Sequence, residues 1–197
     1  MLKDKRTAMV GTLVVVLFLS LLTLMAPGKA SAVSGFLKVD GIPGESTDDK
    51  HKDWIDIVSW SYGETQSAEV TASKVGGAAA ERVKMQNFKF TMRTNKASPK
   101  LFQTCASGQH IREVVLEVCK SGGDKSKFLE VKLSEVIVSS FVSLGSSVTA
   151  GADAYPMEEI LLSFSKIKIT YTMQKRADGS GGGNVEGGWD VKANKAY

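Results

Sequence analysis

Hydrophobic and polar positions alternate along most of the chain beyond residue 33, and the places where the alternation changes phase are its most telling feature. Phe36-Leu37-Lys38-Val39-Asp40 is a short β pattern, and a second runs from Trp54 through Ile55, Ile57 and Val58 to Trp60. Between them Gly41–Asp53 is too polar, and too rich in Gly, Pro, Asp and Ser, for helix or strand. Farther on, Val83 and Met85 fall on odd positions, then Phe88, Phe90 and Met92 on even ones. Leu129, Val131 and Leu133 give way to Val136 and Val138. Ile160, Leu162 and Phe164 give way to Ile167, Ile169, Tyr171 and Met173. A change of phase within one strand means a bulge or bend that carries the apolar face to the other side. Three long strands of this kind predict a strongly bent sheet, and a small closed barrel fits better than a flat one.

One helix interrupts the strands. Ser98 as N-cap with Pro99 at the first helical position starts it, Leu101, Phe102 and Cys105 share a face, and Gly108 ends it. At about ten residues it is marginal alone, so that face must pack on the barrel. Val114, Leu116 and Val118 alternate in the strand that follows. Glu64–Ala80, ending in Gly76-Gly77-Ala78-Ala79-Ala80, reads as an exposed connection. Gly179-Ser180-Gly181-Gly182-Gly183-Asn184 lacks the Lys-Ser/Thr of a phosphate loop and has no helix after it, so it reads as a hairpin tip. Trp189, just beyond, is expected to anchor the returning segment on the barrel.

The first 32 residues have a different character. Lys3, Lys5 and Arg6 form a basic start, Ala8–Met25 carries no charge, and Pro27-Gly28 breaks the apolar run. Ala30-Ser31-Ala32 supplies the small-x-small pattern of a signal-peptidase site, with cleavage expected between Ala32 and Val33. An uncleaved membrane anchor is the competing reading, because eighteen apolar-dominated residues approach the span of a bilayer core. Pro27, the cleavage pattern and the lack of a basic stop after Met25 favour cleavage. The chain therefore divides into a signal peptide, 1–32, and one domain, 33–197, exported across the inner membrane to the periplasm or beyond. Membrane contact is expected only if the leader stays.

Removing the leader changes the charge argument. Lys3, Lys5, Arg6, Lys29 and Asp4 account for most of the net charge of +4, so the body is close to neutral. No basic stripe with interleaved aromatics is present, which sets nucleic-acid binding aside. Cys105 and Cys119 are the two cysteines. An exported protein permits a disulfide between them, and two partly buried free thiols are the plainer reading. His51 and His110 lie far apart, and neither is near a Cys at ligand spacing, so no metal site is expected. No G-x-S-x-G, H-E-x-x-H or C-x-x-C occurs. Asp48, Asp49 and His51 could form an acid/base cluster, but charged groups in a polar loop are usually solvated. No catalytic residue, cofactor or small-molecule substrate is expected.

The run FLKVDGIPGESTDDKHKDWIDIVSWSYG, Phe36 to Gly63, resembles the opening of the hemolysin-coregulated protein family, Hcp, whose members form the inner tube of bacterial type VI secretion machines. It joins DGIPGES, a His/Lys/Asp cluster and WI-x-I-x-SW-x-x-G at fixed spacing. VKMQNFKFTMRTNKASPKLFQTCASGQHIREVVLEVCK, FLEVKLSEVIVSSF, MEEILLSFSKIKITYTMQ and GGWDVKANKAY are similar to the family's later segments, so the likeness covers Ser34 to Tyr197. It implies a mainly β fold: a small bent-strand barrel of two antiparallel sheets with one short α-helix. It also implies a structural protein, not an enzyme, that forms homohexameric rings able to stack into a tube. Tip, sheath and effector proteins would be the partners. The family's long loop after the first strand helps rings touch. By that likeness Glu45, Asp48, Asp49, Lys50 and Lys52 are the ring–ring contact candidates here, against a plain reading as solvated loop residues. The leader departs from the family, whose subunits normally leave through the machine itself. It keeps open an exported, monomeric binding or effector-type protein that retained the barrel and lost the tube.

Overall fold

The alternating runs close into an antiparallel barrel in a computed structural model that describes residues 33–66, 82–120, 126–145, 155–173 and 182–197. The leader, most of the 64–80 connection and part of the Gly-rich stretch lie outside the described residues. In chain order the elements are β1 (Val33–Val39), β2 (Ile55–Ser61), β3 (Glu64–Thr65), β4 (Lys84–Met85), β5 (Phe88–Arg93), α1 (Ser98–Ser107), β6 (His110–Lys120) and β7 (Lys127–Leu144). Then follow β8 (Met157–Ser163), β9 (Lys166–Thr172), β10 (Asn184–Asp190) and β11 (Lys195–Ala196).

Strands β1, β2, β5, β8, β7 and β6 pair in that order, each antiparallel to the next, and β6 returns to β1. Closure removes the exposed edges that an open sheet of this size would present. Most of the interior is apolar: Leu37, Ile55, Phe88, Phe90, Met92, Leu116, Val131, Leu133, Val136, Ile160 and Leu162 are all buried in one cluster, with Glu158 of β8 a buried acid on the same face. Each large side chain moved out of water contributes about 1.5–3 kcal/mol.

The eighteen residues of β7 organise the rest. Its first half pairs with β9, from Leu129↔Tyr171 to Ser134↔Lys166. Its second half pairs with β8, from Ile137↔Ser163 to Leu144↔Met157. The join falls at Glu135, whose φ of 52° lies in the left-handed region, and there the Ser165 amide donates to the Ser134 carbonyl at 3.0 Å. So β8 and β9 lie end to end along one edge of β7. At Ser165 they part: β8 turns into the barrel beside β5, while β9 carries β10 and β11 away as a flap.

This corrects the expectation drawn from the phase changes. Val131 and Leu133 before the bulge, and Val136 and Val138 after it, all enter the same core. The extra residue keeps the apolar set inward through the bend instead of moving it outward. The other two phase changes are not bends within a strand but breaks between strands. Gln86-Asn87 separates β4, which pairs with β3 in its own small sheet, from β5 in the barrel. Phe164-Ser165 separates β8 from β9.

Helix α1 begins one residue earlier than the capping pattern predicts. Ala97 is the N-cap and makes no side-chain cap bond, with Pro99 in the first turn. Ser98 is turned to other work: its Oγ accepts the Asn95 amide at 3.0 Å and donates to Glu158 Oε2 at 2.7 Å. Leu101 and Thr104 face inward and Cys105 is half-buried. Phe102, expected on the packed face, is instead 60% exposed, and its ring meets Phe141 edge-on at 5.8 Å. Gly108 ends the helix with φ of 64°, a conformation that glycine adopts without a Cβ penalty. Trp189 packs against the core, as its sequence position suggests.

Candidate functional site

The Gly41–Asp53 loop does not hang free. It folds back over the outer face of β1 and β6. Gly44 N–H donates to the Asp53 carbonyl at 2.8 Å, Ser46 N–H to that of Trp54 at 2.9 Å, and Asp53 N–H to that of Ser46 at 3.0 Å. These bonds zip the two arms of the loop together. Gly44 is required for the closeness: a Cβ there would stand 2.3 Å from the Trp54 carbonyl oxygen, which is backbone and cannot yield. The second glycine of DGIPGES is therefore explained by contact with the WI strand that follows it.

A histidine pins the tip. His51 is only 2% exposed, stacked flat on Phe36 at 4.0 Å and edge-on to Trp54 at 4.9 Å. Its Nδ1 lies 2.8 Å from Asp48 Oδ1 and its Nε2 lies 3.0 Å from Glu117 Oε2 on β6. Ionised carboxylates only accept, so both contacts are hydrogen bonds together when each ring nitrogen carries a proton. The ring is then a cation held between two anions. Asp48 Oδ1 also accepts the Lys50 amide at 3.1 Å, which closes an Asx-type turn around the histidine. Lys127 Nζ, from β7, reaches Glu117 Oε1 at 2.9 Å and Glu130 Oε2 at 2.5 Å. A second clamp holds the other flank: the Lys96 amide donates to Glu45 Oε1 and its Nζ to Asp53 Oδ1, each at 2.9 Å.

Of the contact candidates, Glu45 and Asp48 are thus held within the subunit, while Asp49, Lys50 and Lys52 stand on the exposed surface. The expectation that Asp48, Asp49 and His51 are all solvated is corrected. Asp48 and His51 are buried beside Phe36 and β6, and only Asp49 is a solvated acid. Nor is His51 remote from a cysteine in space, since Cys119 Sγ lies 4.0 Å from Nε2. Burial, then the nearby Glu117 and Asp48 charges, push the Cys119 thiol above its ordinary value, so it is a small apolar wall rather than a thiolate. Cys105 and Cys119 are both free thiols. Phe36, Glu117, Lys96 and Lys127 went unmarked in the sequence. One signal was present: Val115 and Cys119 sit on the odd positions of β6, opposite the core set of Val114, Leu116 and Val118, and both are buried. A strand apolar on both faces calls for a second layer, and the loop is that layer.

The clamp carries a pH dependence. Burial raises the Glu117 carboxyl, but bonds to Lys127 and His51 outweigh it and hold it below its ordinary value of 4.5. A carboxyl lowered on folding stabilises the fold above its unfolded value, and that stability is lost as pH falls through the lowered folded value. The loop is expected to stay docked from neutral pH down to about 4.5 and to loosen only below it. Hydrogen exchange at the Trp54 amide tests this. Glu117→Gln should flatten the acid step, and an unaltered step in that variant would remove Glu117 as its cause.

A family model described as "Type VI secretion system effector, Hcp" matches residues 36–171. Protein hcp1 of Pseudomonas aeruginosa is 35% identical over 164 residues, spanning 83% of this chain and 98% of that protein. Among solved structures, one described as a type six secretion system protein superposes with a TM-score of 0.75 at 30% identity, covering 84% of this chain and 100% of its own. Hcp1 from Salmonella typhimurium gives a TM-score of 0.65 at 33% identity, covering 84% and 99%. The matched region includes both the barrel and the clamped loop.

Proposed function

The chain belongs to the Hcp family of type VI secretion proteins, and from that membership we propose that it is a tube-type subunit forming homohexameric rings that stack through the Gly41–Asp53 loop. The observation that carries the reading is coverage: the chain spans 98% of the Pseudomonas relative, so the barrel, loop, helix and flap are all retained. A structural role also agrees with the site's character. His51 sits among two carboxylates and a thiol, but it is sealed under the loop, where no substrate could meet it. The chain is assigned no catalytic activity. Asp49, Lys50 and Lys52, which stand on the exposed surface, are assigned to ring–ring contact, and Glu45 and Asp48 to holding the loop that presents them. Tip, sheath and effector proteins are the expected partners, and the mature protein is secreted.

The test is to express the chain with its leader and measure the purified product by light scattering and intact mass. A six-subunit particle built of Val33–Tyr197 polypeptides supports the ring and the cleavage together. A monomer across the micromolar range would instead assign an exported Hcp-like binding or effector-type protein, and an uncut chain would return the leader to the membrane-anchor reading.

A further inference from the structure

Strand β1 enters the barrel without slack. Val33 faces Lys120 and Ser34 faces Cys119, and the ladder with β6 runs unbroken from there to Val39↔Val114. On its other edge β1 meets β2 from Gly35↔Ile57 onward. Its third residue is thus already paired on both sides. The strand is packed as well as paired. A Cβ on Gly35 would stand 2.9 Å from Ile57 Cγ1 and 3.1 Å from the Trp60 ring. Phe36 and Leu37 are buried, and Phe36 lies flat on His51 at 4.0 Å.

The bond expected to be cut is the one that precedes Val33, so the barrel starts at the first residue beyond it. A strand rises about 3.3 Å per residue, which leaves two residues between that bond and the doubly paired part of β1. A peptidase holds extended backbone by main-chain hydrogen bonds, and backbone already committed to a ladder has none to offer. Strand ends fray, and Val33 at 51% exposure is free to do so. Drawing out more of β1 pulls Phe36 and Leu37 from the core and breaks both ladders. The partner on the β6 edge comes late: Lys120 follows β2, β5 and α1 in the chain. Until it has emerged, that edge of β1 has no ladder to join.

We propose that closure of the barrel shuts the processing site: the leader is removed before β1 docks on β6, and a chain that folds first keeps its leader. The inference rests on the cleavage reading above and fixes when cleavage occurs relative to folding.

The test uses the full, uncut chain in detergent with purified bacterial signal peptidase as the probe. The chain is added either refolded, with native circular dichroism, or straight from urea, at the same final urea concentration. Intact mass reads the loss of residues 1–32. Chain added from urea should be cut, and refolded chain at least about tenfold more slowly, because Phe36 and Leu37 must leave the core first. A variant with Gly-Ser-Gly-Ser-Gly-Ser inserted between Ala32 and Val33 moves the bond about 20 Å along the chain from β1. It should be cut alike in both forms. A refolded wild type cut within about twofold of the chain from urea would overturn the inference. So would a refolded insertion variant that stays whole while the wild type from urea is cut. If neither chain is cut in either form, the cleavage reading itself falls and this inference goes with it.

Discussion

Replacing His51 with alanine is expected to free the Gly41–Asp53 loop while leaving the barrel folded. The ring bridges Asp48 at 2.8 Å and Glu117 at 3.0 Å, so its loss leaves two carboxylates without their shared partner in a largely buried place. Breaking one partner of a buried pair costs about 3–5 kcal/mol. Glu117 keeps Lys127 at 2.9 Å and is partly exposed, which argues for the lower end of that range. The stack on Phe36 and the edge contact with Trp54 go as well. A loop tied down by few contacts opens locally rather than with the whole molecule. Limited proteolysis should therefore cut the variant between residues 41 and 53 under conditions that leave the wild type whole, and Trp54 emission should shift red as the ring meets water. Because Asp49, Lys50 and Lys52 ride on the same loop, the variant should keep a six-subunit ring and lose ring stacking. Wild-type resistance to protease in the alanine variant would sink the clamp.

How much of this was legible in the chain depends on whether a signal was local. The barrel was: alternation at Phe88, Phe90 and Met92, or at Ile160 and Leu162, needs only the strand's own residues, and all five lie in the core. The meaning of the phase changes was not, because a bulge within β7 and a break between β8 and β9 leave the same mark in a sequence. What separates them is that β7 continues past Glu135 with partners on both sides, a matter of pairing over long range. The helix start went the same way. Ser98-Pro99 has the local form of an N-cap, but Glu158, sixty residues away, claims the serine hydroxyl. The loop shows the largest gap. DGIPGES and the His/Lys/Asp cluster identified the segment, and polarity alone suggested solvation. The burial of His51 depends on Glu117, sixty-six residues on, and on a ring face offered by Phe36. A lone histidine among acids is read as solvated until something non-local covers it.

The barrel interior should respond quite differently from the loop. Phe90→Ala is expected to cost about 3–5 kcal/mol, because the side chain is fully buried and its strand is paired on both sides, Trp60 on β2 and Ile160 on β8. Closure allows little collapse: the ring sits near Phe88, and strands held on both edges cannot slide inward to fill the space. Set against a total of about 5–15 kcal/mol for a domain, that is a large fraction, equivalent to a melting temperature lower by about 10 °C. Phe102→Ala removes the same atoms from an exposed site and should change the isolated subunit's stability by about 0.5 kcal/mol or less. The two phenylalanines thus separate the barrel wall from its surface. Thermal unfolding followed by circular dichroism should show the loss for Phe90→Ala and leave Phe102→Ala within about 2 °C of the wild type. A Phe90→Ala barrel that melted within about 2 °C of the wild type would mean the interior can repack, and the rigid closure argued for this wall would fall with it.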